Sequence, residues 1–560
     1  MTTKKNIQNS STKIIALFWI WSLVAGIVIG LNAPGFGTHW IGLVSFLPLL
    51  LILEKIYKKT NFTFRKQCLV FFGVCWLTGV SASLIGGNWI TNSIHVFGHI
   101  PMIFSLLITG AGYGLEVGLQ LFVYFAIPLL FIKKLGNWEL VFRLSYVIAI
   151  DHWYPRLIHW NYGGLTFSEF PFIEQVADLI GSSGLIFYSL GFQLLLIALW
   201  RLKSNGKNLN NNRVGYKFLK QAIAVYSLFW ALGLSYGVWR IDDINRSYNL
   251  QNADSLLNII AIQPNFSLQN LASNPELAHS KRKGNLDSLF EDSKKYLSKI
   301  SKKNEEPILL VWPESVFPLP FFKVKDARQK VTQFAKENNI SILFTTVDWE
   351  DTMKGRKFHG VSVLIGSSGK IIGRYNKIFL IPFGEMIPFS NIFPEVASWL
   401  RNNIANMAEF QSGMDHKVFT LSEKVQLSAP ICFDIFSQKV VRGMSLRGAN
   451  LIVNLSNLAW FGRSTASDNM VAVLRWRAIE NRLPVVFASN NGESIFIGAD
   501  GKNLSRQLGL FEEGALIAKL QLQSHFSFYR HNEEWLRIGF VLIFFVLSLL
   551  AHVRGKIFYK

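Results

Sequence analysis

The chain has 560 residues, of which half are hydrophobic and 17% are charged, and it contains 46 phenylalanines and 17 tryptophans. Its mean hydropathy of +0.26 excludes an ordinary soluble globular protein and predicts membrane-spanning helices. The net charge of +21 does not predict nucleic-acid binding, because much of the positive excess lies in short loops between apolar runs and no compact basic face with interleaved aromatic residues is present.

Eight apolar runs predict eight membrane spans. Most of them have the length of about 20 residues that a helix needs to cross a bilayer. Run 100–132 is long for one upright helix, and run 139–154 is short and carries Arg143 and Asp151 toward its ends. The runs cover residues 14–31, 39–54, 68–87, 100–132, 139–154, 179–200, 217–239 and 535–553.

Lysine and arginine in the connections determine how these runs are counted. Positive residues precede the first run, lie in connections 55–67, 133–138 and 201–216, and follow the last run, whereas connections 32–38 and 88–99 contain neither residue type. Because lysine and arginine are retained on the cytoplasmic side, this alternation predicts eight crossings with both termini in the cytoplasm. Run 100–132 is then one tilted or kinked helix, run 139–154 crosses, and residues 240–534 lie on the outer face.

Glu116 lies inside the long run 100–132. A carboxylate within a membrane is costly, so it is either functional or held neutral by hydrogen bonds, and both interpretations stay open. Glycines in the same run predict close packing against a neighbouring helix. They are Gly110, Gly112, Gly114 and Gly118.

Between the seventh and eighth runs the pattern becomes that of an α/β domain. Short apolar strands alternate with helical stripes at 286–300 and 324–334, and Ser367-Ser368-Gly369 and Asp500-Gly501 are typical of hairpin turns. The predicted strands are 257–262, 308–312, 342–346, 361–365, 451–454, 485–488 and 516–520. The predicted domains are residues 1–240, a bundle of seven transmembrane helices; residues 250–525, an exported α/β domain; and residues 530–560, the eighth helix with its tail.

One of the three cysteines lies outside the apolar runs. Cys68 and Cys75 are seven residues apart, share one helical face and are interpreted as packing residues. Cys432, in the sequence Ser428-Ala429-Pro430-Ile431-Cys432-Phe433-Asp434, has no credible disulfide partner. An unpaired thiol in an exported domain is either buried and inert or a reactive group.

Glu314 and Lys377 accompany Cys432 in the same predicted domain. Glu314 follows the predicted strand 308–312, and Lys377 precedes a Pro-Phe-Gly turn. A carboxylate can take the proton of a thiol, and an ammonium can stabilise the charge that develops on an attacked carbonyl. Each residue alone is more often packing or solvated surface, but the three together indicate an acyl-transferring thiol site.

Three phrases around these residues resemble the nitrilase, or carbon–nitrogen hydrolase, superfamily. With the eight predicted spans, the whole chain resembles the bacterial apolipoprotein N-acyltransferase family. The phrases are Trp312-Pro313-Glu314, Lys377-x-x-Leu380-x-Pro382-Phe383-Gly384-Glu385-x-x-Pro388 and Ile431-Cys432-Phe433. Further matches are Gln263-Pro264-Asn265, Trp460-Phe461-Gly462, Arg477-Ala478-Ile479-Glu480 and Ser489-Asn490-Asn491-Gly492.

The resemblance implies an αββα sandwich and a two-step acyl transfer in which Cys432 is the nucleophile, Glu314 the general base and Lys377 the oxyanion-stabilising cation. The implied donor is a phospholipid, typically phosphatidylethanolamine, and the implied acceptor is the amine of the diacylglyceryl-cysteine of an apolipoprotein. The implied location is the bacterial inner (cytoplasmic) membrane, with the catalytic domain in the periplasm.

Supporting residues are Glu385, Tyr375, Phe433 and Asp434, and implied pocket residues are Trp460, Phe461, Pro382 and Phe383. No cofactor is implied, and no metal is expected because the histidines lack a ligand spacing.

The chain departs from the family pattern beside the nucleophile. Asp434 stands where glutamate is usual, so a contact of that carboxylate is expected to be lost or relayed, and Leu458 stands where aspartate is usual. Two alternatives therefore stay open: a membrane-anchored amidase or esterase that uses water as acceptor, and a divergent paralogue with another acceptor. A non-catalytic scaffold is disfavoured because the glutamate, lysine and cysteine are all present.

Overall fold

The computed structural model describes residues 17–59, 62–96, 98–132, 135, 138–158, 162–204, 213–250, 256–267, 275–300, 306–317, 319–353, 355–403 and 409–558. The chain divides into two compact units. The helical unit comprises residues 1–95, 100–238 and 532–560, and the α/β unit comprises residues 96–99 and 239–531.

The helical unit is built from apolar helices, the last of which, α12, extends past residue 238, where this unit ends. In chain order they are α1 (Leu17–Gly30), α2 (Leu47–Lys59), α3 (Phe64–Gly86), α4 (Asn88–Val96), α5 (Met102–Leu107), α6 (Gly114–Leu121), α7 (Ile127–Leu129), α8 (Glu139–Asp151), α9 (Tyr162–Phe167), α10 (Ala177–Gly184), α11 (Ile186–Ser204) and α12 (Arg213–Leu250). Two π-helical turns, Ile108–Tyr113 and Phe122–Ala126, link α5, α6 and α7 into one helix over 102–129. Run 100–132 therefore forms a single helix, as predicted.

Five helices in the described residues are long and apolar enough to cross a membrane, judged by length and composition. They are His39–Lys58, Phe64–Gly86, Met102–Leu129, Ile186–Lys203 and Gly215–Tyr248. The other three predicted spans also contain helices: the shorter α1, the 13-residue α8, and a helix over Phe528–Phe558. Residues 14–16 of the first predicted run lie outside the described residues. Eight crossings remain a prediction.

Glycines bring α3 and α6 into close contact. A Cβ on Gly79 would lie 2.2 Å from the carbonyl oxygen of Gly114, and one on Gly118 would lie 2.6 Å from the Cα of Trp76. No other residue type fits at these positions without displacing backbone. The predicted helix packing is thus confirmed at Gly114 and Gly118, whereas a Cβ on Gly112 would meet nothing within 4 Å.

Glu116 supports irregular backbone in the helical unit. Its Oε1 accepts a hydrogen bond from the backbone N–H of Leu157 at 2.7 Å, in the non-helical segment 152–158 that follows α8. A backbone N–H in apolar surroundings needs an acceptor because water does not supply one. Glu116 is therefore hydrogen-bonded, and both interpretations of its role stay predictions.

The α/β unit contains eleven strands in the described residues. They are β1 (Leu256–Gln263), β2 (Ile308–Val311), β3 (Ser341–Thr352), β4 (Gly355–Ile365), β5 (Ile371–Asn376), β6 (Phe419–Ser422), β7 (Val425–Ser428), β8 (Leu451–Ser456), β9 (Val485–Ser489), β10 (Ile495–Ile497) and β11 (Gly514–Gln521). The helices are α13 (Pro275–Leu297), α14 (Lys325–Asn338), α15 (Pro394–Asn403), α16 (Gln438–Leu446) and α17 (Ala466–Asn481), and α18 (Phe528–Phe558) follows. All seven predicted strands are present. The strand-like run before Lys377 forms β5. The missed strands, β6, β7 and β10, have only three or four residues each.

The strands form two sheets, with orders β11-β1-β2-β3-β4-β5 and β10-β9-β8-β7-β6. Strands β1, β2 and β3 are mutually parallel, as are β7, β8 and β9. The first sheet packs on α13 and α14 through a core that includes Leu289, Phe334 and Phe344, β1 contacts β9 of the second sheet, and α17 covers β9 and β10. The unit is therefore a four-layered α/β sandwich. The carboxyl ends of its parallel strands are where side chains from separate segments can converge.

Candidate active site

The three predicted catalytic residues follow strands of the two sheets. Glu314 follows β2, Lys377 comes directly after β5, and Cys432 follows β7. Lys377 Nζ lies 3.8 Å from Glu314 Oε1, and the thiol of Cys432 donates a hydrogen bond to the Glu314 carboxylate. The structure thus brings together residues that are more than fifty positions apart in the sequence.

Cys432 begins a short 3₁₀ turn, Cys432–Phe436, in a strained backbone conformation. Its φ is +47°, in the left-handed region that a residue with a side chain rarely adopts. Asn454, on β8, stabilises this turn because its Nδ2 donates to the carbonyl oxygens of Pro430 (3.1 Å) and Cys432 (3.2 Å). Strain of this kind persists only where surrounding contacts hold it, and it is common at functional sites.

Lys377 is a buried ammonium between two carboxylates. Its side chain is 1% exposed, and its Nζ donates to Glu385 Oε1 at 2.7 Å. Glu385 is held in turn by the backbone N–H of Ile381, which donates to Oε2 at 2.9 Å. Burial alone would lower the pKa of Lys377, but the carboxylates of Glu385 and Glu314 outweigh it and raise that pKa above its ordinary value. Lys377 therefore stays charged and can stabilise an oxyanion.

Glu314 has the properties of a general base. Its Oε2 accepts a hydrogen bond from the backbone N–H of Asn457 at 2.9 Å. Burial raises the pKa of Glu314 to about 7, against the opposing effect of Lys377. Burial and the neighbouring Glu314 carboxylate raise the pKa of the Cys432 thiol. The resting thiol therefore keeps its proton. Glu314 contacts this thiol, and its pKa near neutral pH lets it accept the proton.

The rate of Cys432 acylation is expected to rise with pH and to level off above a pKa near 7. Only the ionised carboxylate of Glu314 accepts the thiol proton, so the rate should fall about tenfold per pH unit well below the pKa, which is about 7. Single-turnover acylation followed by intact mass from about pH 5 to about pH 9 measures this profile. A flat profile, or one retained in Glu314→Gln, would contradict the assignment.

Asp434 joins the segment that carries Cys432 to the segment that carries Lys377. Its Oδ2 accepts from the hydroxyl of Tyr375 (2.7 Å) and the backbone N–H of Ile431 (3.0 Å), and its Oδ1 accepts from the N–H groups of Ile378 (3.2 Å) and Phe379 (2.7 Å). Burial raises the pKa of Asp434 to about 6. The shorter carboxylate therefore reaches four donors, and the loss or relay of a contact that the usual glutamate would make stays a prediction.

Asp434→Asn is expected to lower both stability and acylation. An amide presents two N–H groups where the carboxylate accepts from N–H and O–H donors, so at least one buried donor loses its acceptor, at a cost of roughly 1–3 kcal/mol. Acylation should fall about tenfold to a hundredfold because Cys432 and Lys377 lose their common anchor. Thermal unfolding of the full-length protein in detergent, with single-turnover acylation, measures both effects. Wild-type values for this variant would show that Asp434 is dispensable.

The predicted pocket residues occupy different positions around the site. Phe433 is buried, with its ring centroid 5.9 Å from that of Phe461, which is also buried. Trp460 is half-buried on a 3₁₀ turn after β8. Pro382 begins the tight turn that contains Glu385. The side chain of Phe383, in the same turn, is 52% exposed. Lining of a substrate pocket by these residues remains a prediction.

Sequence reasoning missed the role of two asparagines at the end of β8. Asn454 holds the Cys432 turn, and the backbone of Asn457 holds Glu314. The available signal was the polar sequence Asn454-Leu455-Ser456-Asn457 at the end of an apolar strand. Polar side chains there are unusual for a buried strand and mark a sheet edge that carries function.

Comparison with known proteins gives two family matches. The model described as Carbon-nitrogen hydrolase matches residues 272–527, and the model described as Apolipoprotein N-acyltransferase N-terminal domain matches residues 25–195. The chain is 24% identical over 561 residues to an apolipoprotein N-acyltransferase of Geobacter metallireducens, covering 97% of this chain and 96% of the relative. It is 25% identical to an apolipoprotein N-acyltransferase of Borreliella burgdorferi, covering 92% and 91% of the two chains. Among solved structures, an amidase of Nesterenkonia from the nitrilase superfamily matches with a TM-score of 0.36 and 20% identity, covering 51% of this chain and 99% of that one.

Proposed function

Because the chain belongs to the apolipoprotein N-acyltransferase family, we propose that it transfers a fatty acyl chain from a phospholipid, through a thioester on Cys432, to the N-terminal amine of the diacylglyceryl-cysteine of apolipoproteins. The observation that carries the proposal is the contact of Cys432 with Glu314, and of Glu314 with Lys377, in a chain that also contains membrane-length apolar helices. These are the parts needed to activate a thiol and to stabilise an oxyanion beside a lipid bilayer.

In the first step, Glu314 takes the thiol proton and the sulfur of Cys432 attacks the ester carbonyl of the phospholipid. The C–S bond forms and the carbonyl oxygen becomes an oxyanion, which the Lys377 ammonium stabilises. When the ester C–O bond breaks, Glu314 returns its proton to the leaving alkoxide, and a lysophospholipid departs. The product on the enzyme is a neutral thioester.

In the second step, the neutral amine of the acceptor attacks the thioester carbonyl. Glu314 takes a proton from the attacking nitrogen, and the same cation stabilises the oxyanion. The C–S bond then breaks, the amide product leaves, and the proton passes to the thiolate. Glu314 and Cys432 are back in their starting protonation states.

The surface next to Glu385 supports lipid substrates. Large apolar side chains follow it on the turn and on α15, and they are mostly exposed. They are Phe389, Ile392, Phe393, Val396 and Trp399. A water-soluble substrate does not require such a surface, whereas an acyl chain gains free energy by contacting it. Cys432 is 1% exposed, which also limits hydrolysis of the thioester by bulk water.

We propose eight crossings of the bacterial inner membrane, both termini in the cytoplasm, and the α/β unit in the periplasm. The support is that the proposed outer connections 32–38 and 88–99 contain no Lys or Arg and connection 155–178 contains only Arg156, whereas positive residues lie in each proposed cytoplasmic connection. The five membrane-length helices add to it. Placement of the site on the outer side would confine the enzyme, the phospholipid and the lipoprotein to one membrane surface.

The proposal is tested by intact mass spectrometry of the full-length protein in detergent. Incubation with phosphatidylethanolamine should add one acyl chain to the protein, and a diacylated lipopeptide should then remove it as triacylated product. Absence of the adduct would overturn the thioester mechanism. Release of free fatty acid in place of triacylated product would instead select a hydrolase. Parallel reactions with phosphatidylglycerol test the proposed donor preference.

A further inference from the structure

Asn457 is fully buried beside the general base. It follows β8, its side chain is 0% exposed, and its backbone N–H donates to Glu314 Oε2 at 2.9 Å. The side-chain oxygen Oδ1 accepts from the backbone N–H of Ala459 at 3.2 Å and from Asn490 Nδ2 at 3.3 Å. Two donors thus surround one end of this carboxamide.

The other end, the amide nitrogen Nδ2, is buried and has no hydrogen-bond partner within the part of the chain that the structure describes. Rotation of the amide by 180° does not resolve this, because it would direct the NH₂ group at two N–H donors. The orientation of Asn457 is therefore set by its neighbours. A buried donor without an acceptor costs free energy, so a substrate atom that accepts from it would recover that cost.

Two neighbouring asparagines show that the local structure can satisfy an amide completely. Asn454 donates to Pro430 and Cys432 and accepts from Ser456. The amide of Asn490 accepts from the backbone N–H of Phe266 and donates to the carbonyl oxygen of the same residue, both at 2.8 Å. Among these three amides, Asn457 alone keeps an unpartnered donor in the described structure.

We propose that Asn457 is a catalytic residue whose Nδ2–H donates to the carbonyl oxygen of the acyl group being transferred, as a second donor beside Lys377. This inference rests on the proposed function. The carbonyl oxygen is an acceptor in the ester and in the thioester, and it gains negative charge in both steps. Lys377 divides its charge between Glu385 and Glu314, so a neutral, rigidly held donor adds stabilisation directed at the oxyanion.

Asn457→Ala removes the donor and keeps the backbone N–H that holds Glu314. Acylation by phospholipid and transfer to lipopeptide should each slow about a hundredfold, the effect of losing one oxyanion donor. Alkylation of Cys432 by iodoacetamide should stay at the wild-type rate, since displacement of iodide forms no oxyanion. Asn457→Asp keeps the Oδ1 contacts and loses the donor, so it should also slow both steps. Its pH–rate profile should shift to higher pH, because the added carboxylate raises the pKa of Glu314.

Asn490→Ala is the matched structural control, because it removes a partner of Oδ1 and leaves the Asn457 donor in place. Asn490→Ala should slow the two steps less than about tenfold. Its melting temperature in detergent should fall by at least as much as that of Asn457→Ala. Equal slowing of the chemistry by Asn490→Ala, or slower Cys432 alkylation in Asn457→Ala, would make Asn457 structural and overturn the inference.

Comparison of the two steps identifies the substrate oxygen that accepts from Asn457 Nδ2. Slower acylation with normal transfer would place the donor at the leaving oxygen of the phospholipid and overturn the carbonyl assignment. Unchanged rates in both Asn457 variants would overturn the inference and leave the proposed function intact. A wild-type protein that forms no acyl adduct would overturn the proposed function, and the inference with it.

Discussion

Cys432→Ser is expected to lower acyl transfer by about 10⁴-fold or more, the range seen when a catalytic nucleophile is removed. A serine hydroxyl fills nearly the same volume, but it gives up its proton far less readily than a thiol. A base with a pKa of about 7, such as Glu314, accepts the proton of a thiol much more readily than the proton of an alcohol. The acyl adduct on the intact protein should disappear along with the triacylated product.

The other two cysteines supply the control. Cys75 is buried in α3 and Cys68 lies on the same helix, both in the helical unit, so Cys75→Ala and Cys68→Ala should retain the adduct. The serine of Cys432→Ser could itself form a stable acyl ester, whereas the alanine of Cys432→Ala cannot be acylated. Persistence of the adduct in Cys432→Ala would locate the acyl group elsewhere and refute the thioester mechanism.

Lys377→Met is expected to slow both steps and to destabilise the α/β unit. The side chain of Lys377 is 1% exposed and neutralises the carboxylates of Glu385 and Glu314. Removal of one partner from a buried ion pair costs about 3 kcal/mol, and the partial exposure of both glutamates lowers that figure. Activity should fall because the oxyanion loses its cation, by about 10²-fold to 10³-fold in each step.

The stability loss in Lys377→Met should depend on pH with a defined sign. Without the ammonium, the burial that already raises the pKa of Glu314 to about 7 is unopposed, so the folded-state pKa of this carboxyl rises further above its unfolded value. Stability is then greatest below the unfolded pKa of about 4.3 and falls as pH rises through the folded pKa, since the unfolded state releases the proton first. Because the pKa of Glu314 is already about 7 in the wild-type protein, the melting-temperature difference from wild type should grow as the pH rises above about 7.

A double variant separates the two effects of Lys377→Met. Adding Glu385→Gln removes one of the uncompensated charges, so the melting temperature should recover in part while acylation stays as slow as in Lys377→Met. Recovery of acylation in the double variant, or a stability loss that does not vary with pH, would contradict the role assigned to Lys377.

Much of the candidate site can be recognised from the sequence because its chemistry resides in single residues. Glu314, Lys377 and Cys432 stand in local phrases, next to turns and strand ends that short patterns predict. The apolar runs likewise predict where helices form, since the length of an apolar run and its flanking charges are local properties. Strands β6, β7 and β10, of three or four residues, were not predictable in this way, because their pairing with neighbouring strands defines them more than their composition does.

The contacts of Asp434 and Asn457 were decided by tertiary structure alone. The sequence predicted that a contact would be lost or relayed at Asp434, but it did not predict that the 3₁₀ turn at Cys432 brings the shorter carboxylate within 3.2 Å of four donors. Asn457 meets Glu314 across 143 positions of sequence. By itself, the sequence predicted which groups act as nucleophile, base and cation, and it determined which segments have the length and composition that suit a membrane. Only the folded chain decided which donors surround each carboxylate, because hydrogen bonds and pKa shifts depend on distances of a few ångströms between segments that no local pattern relates.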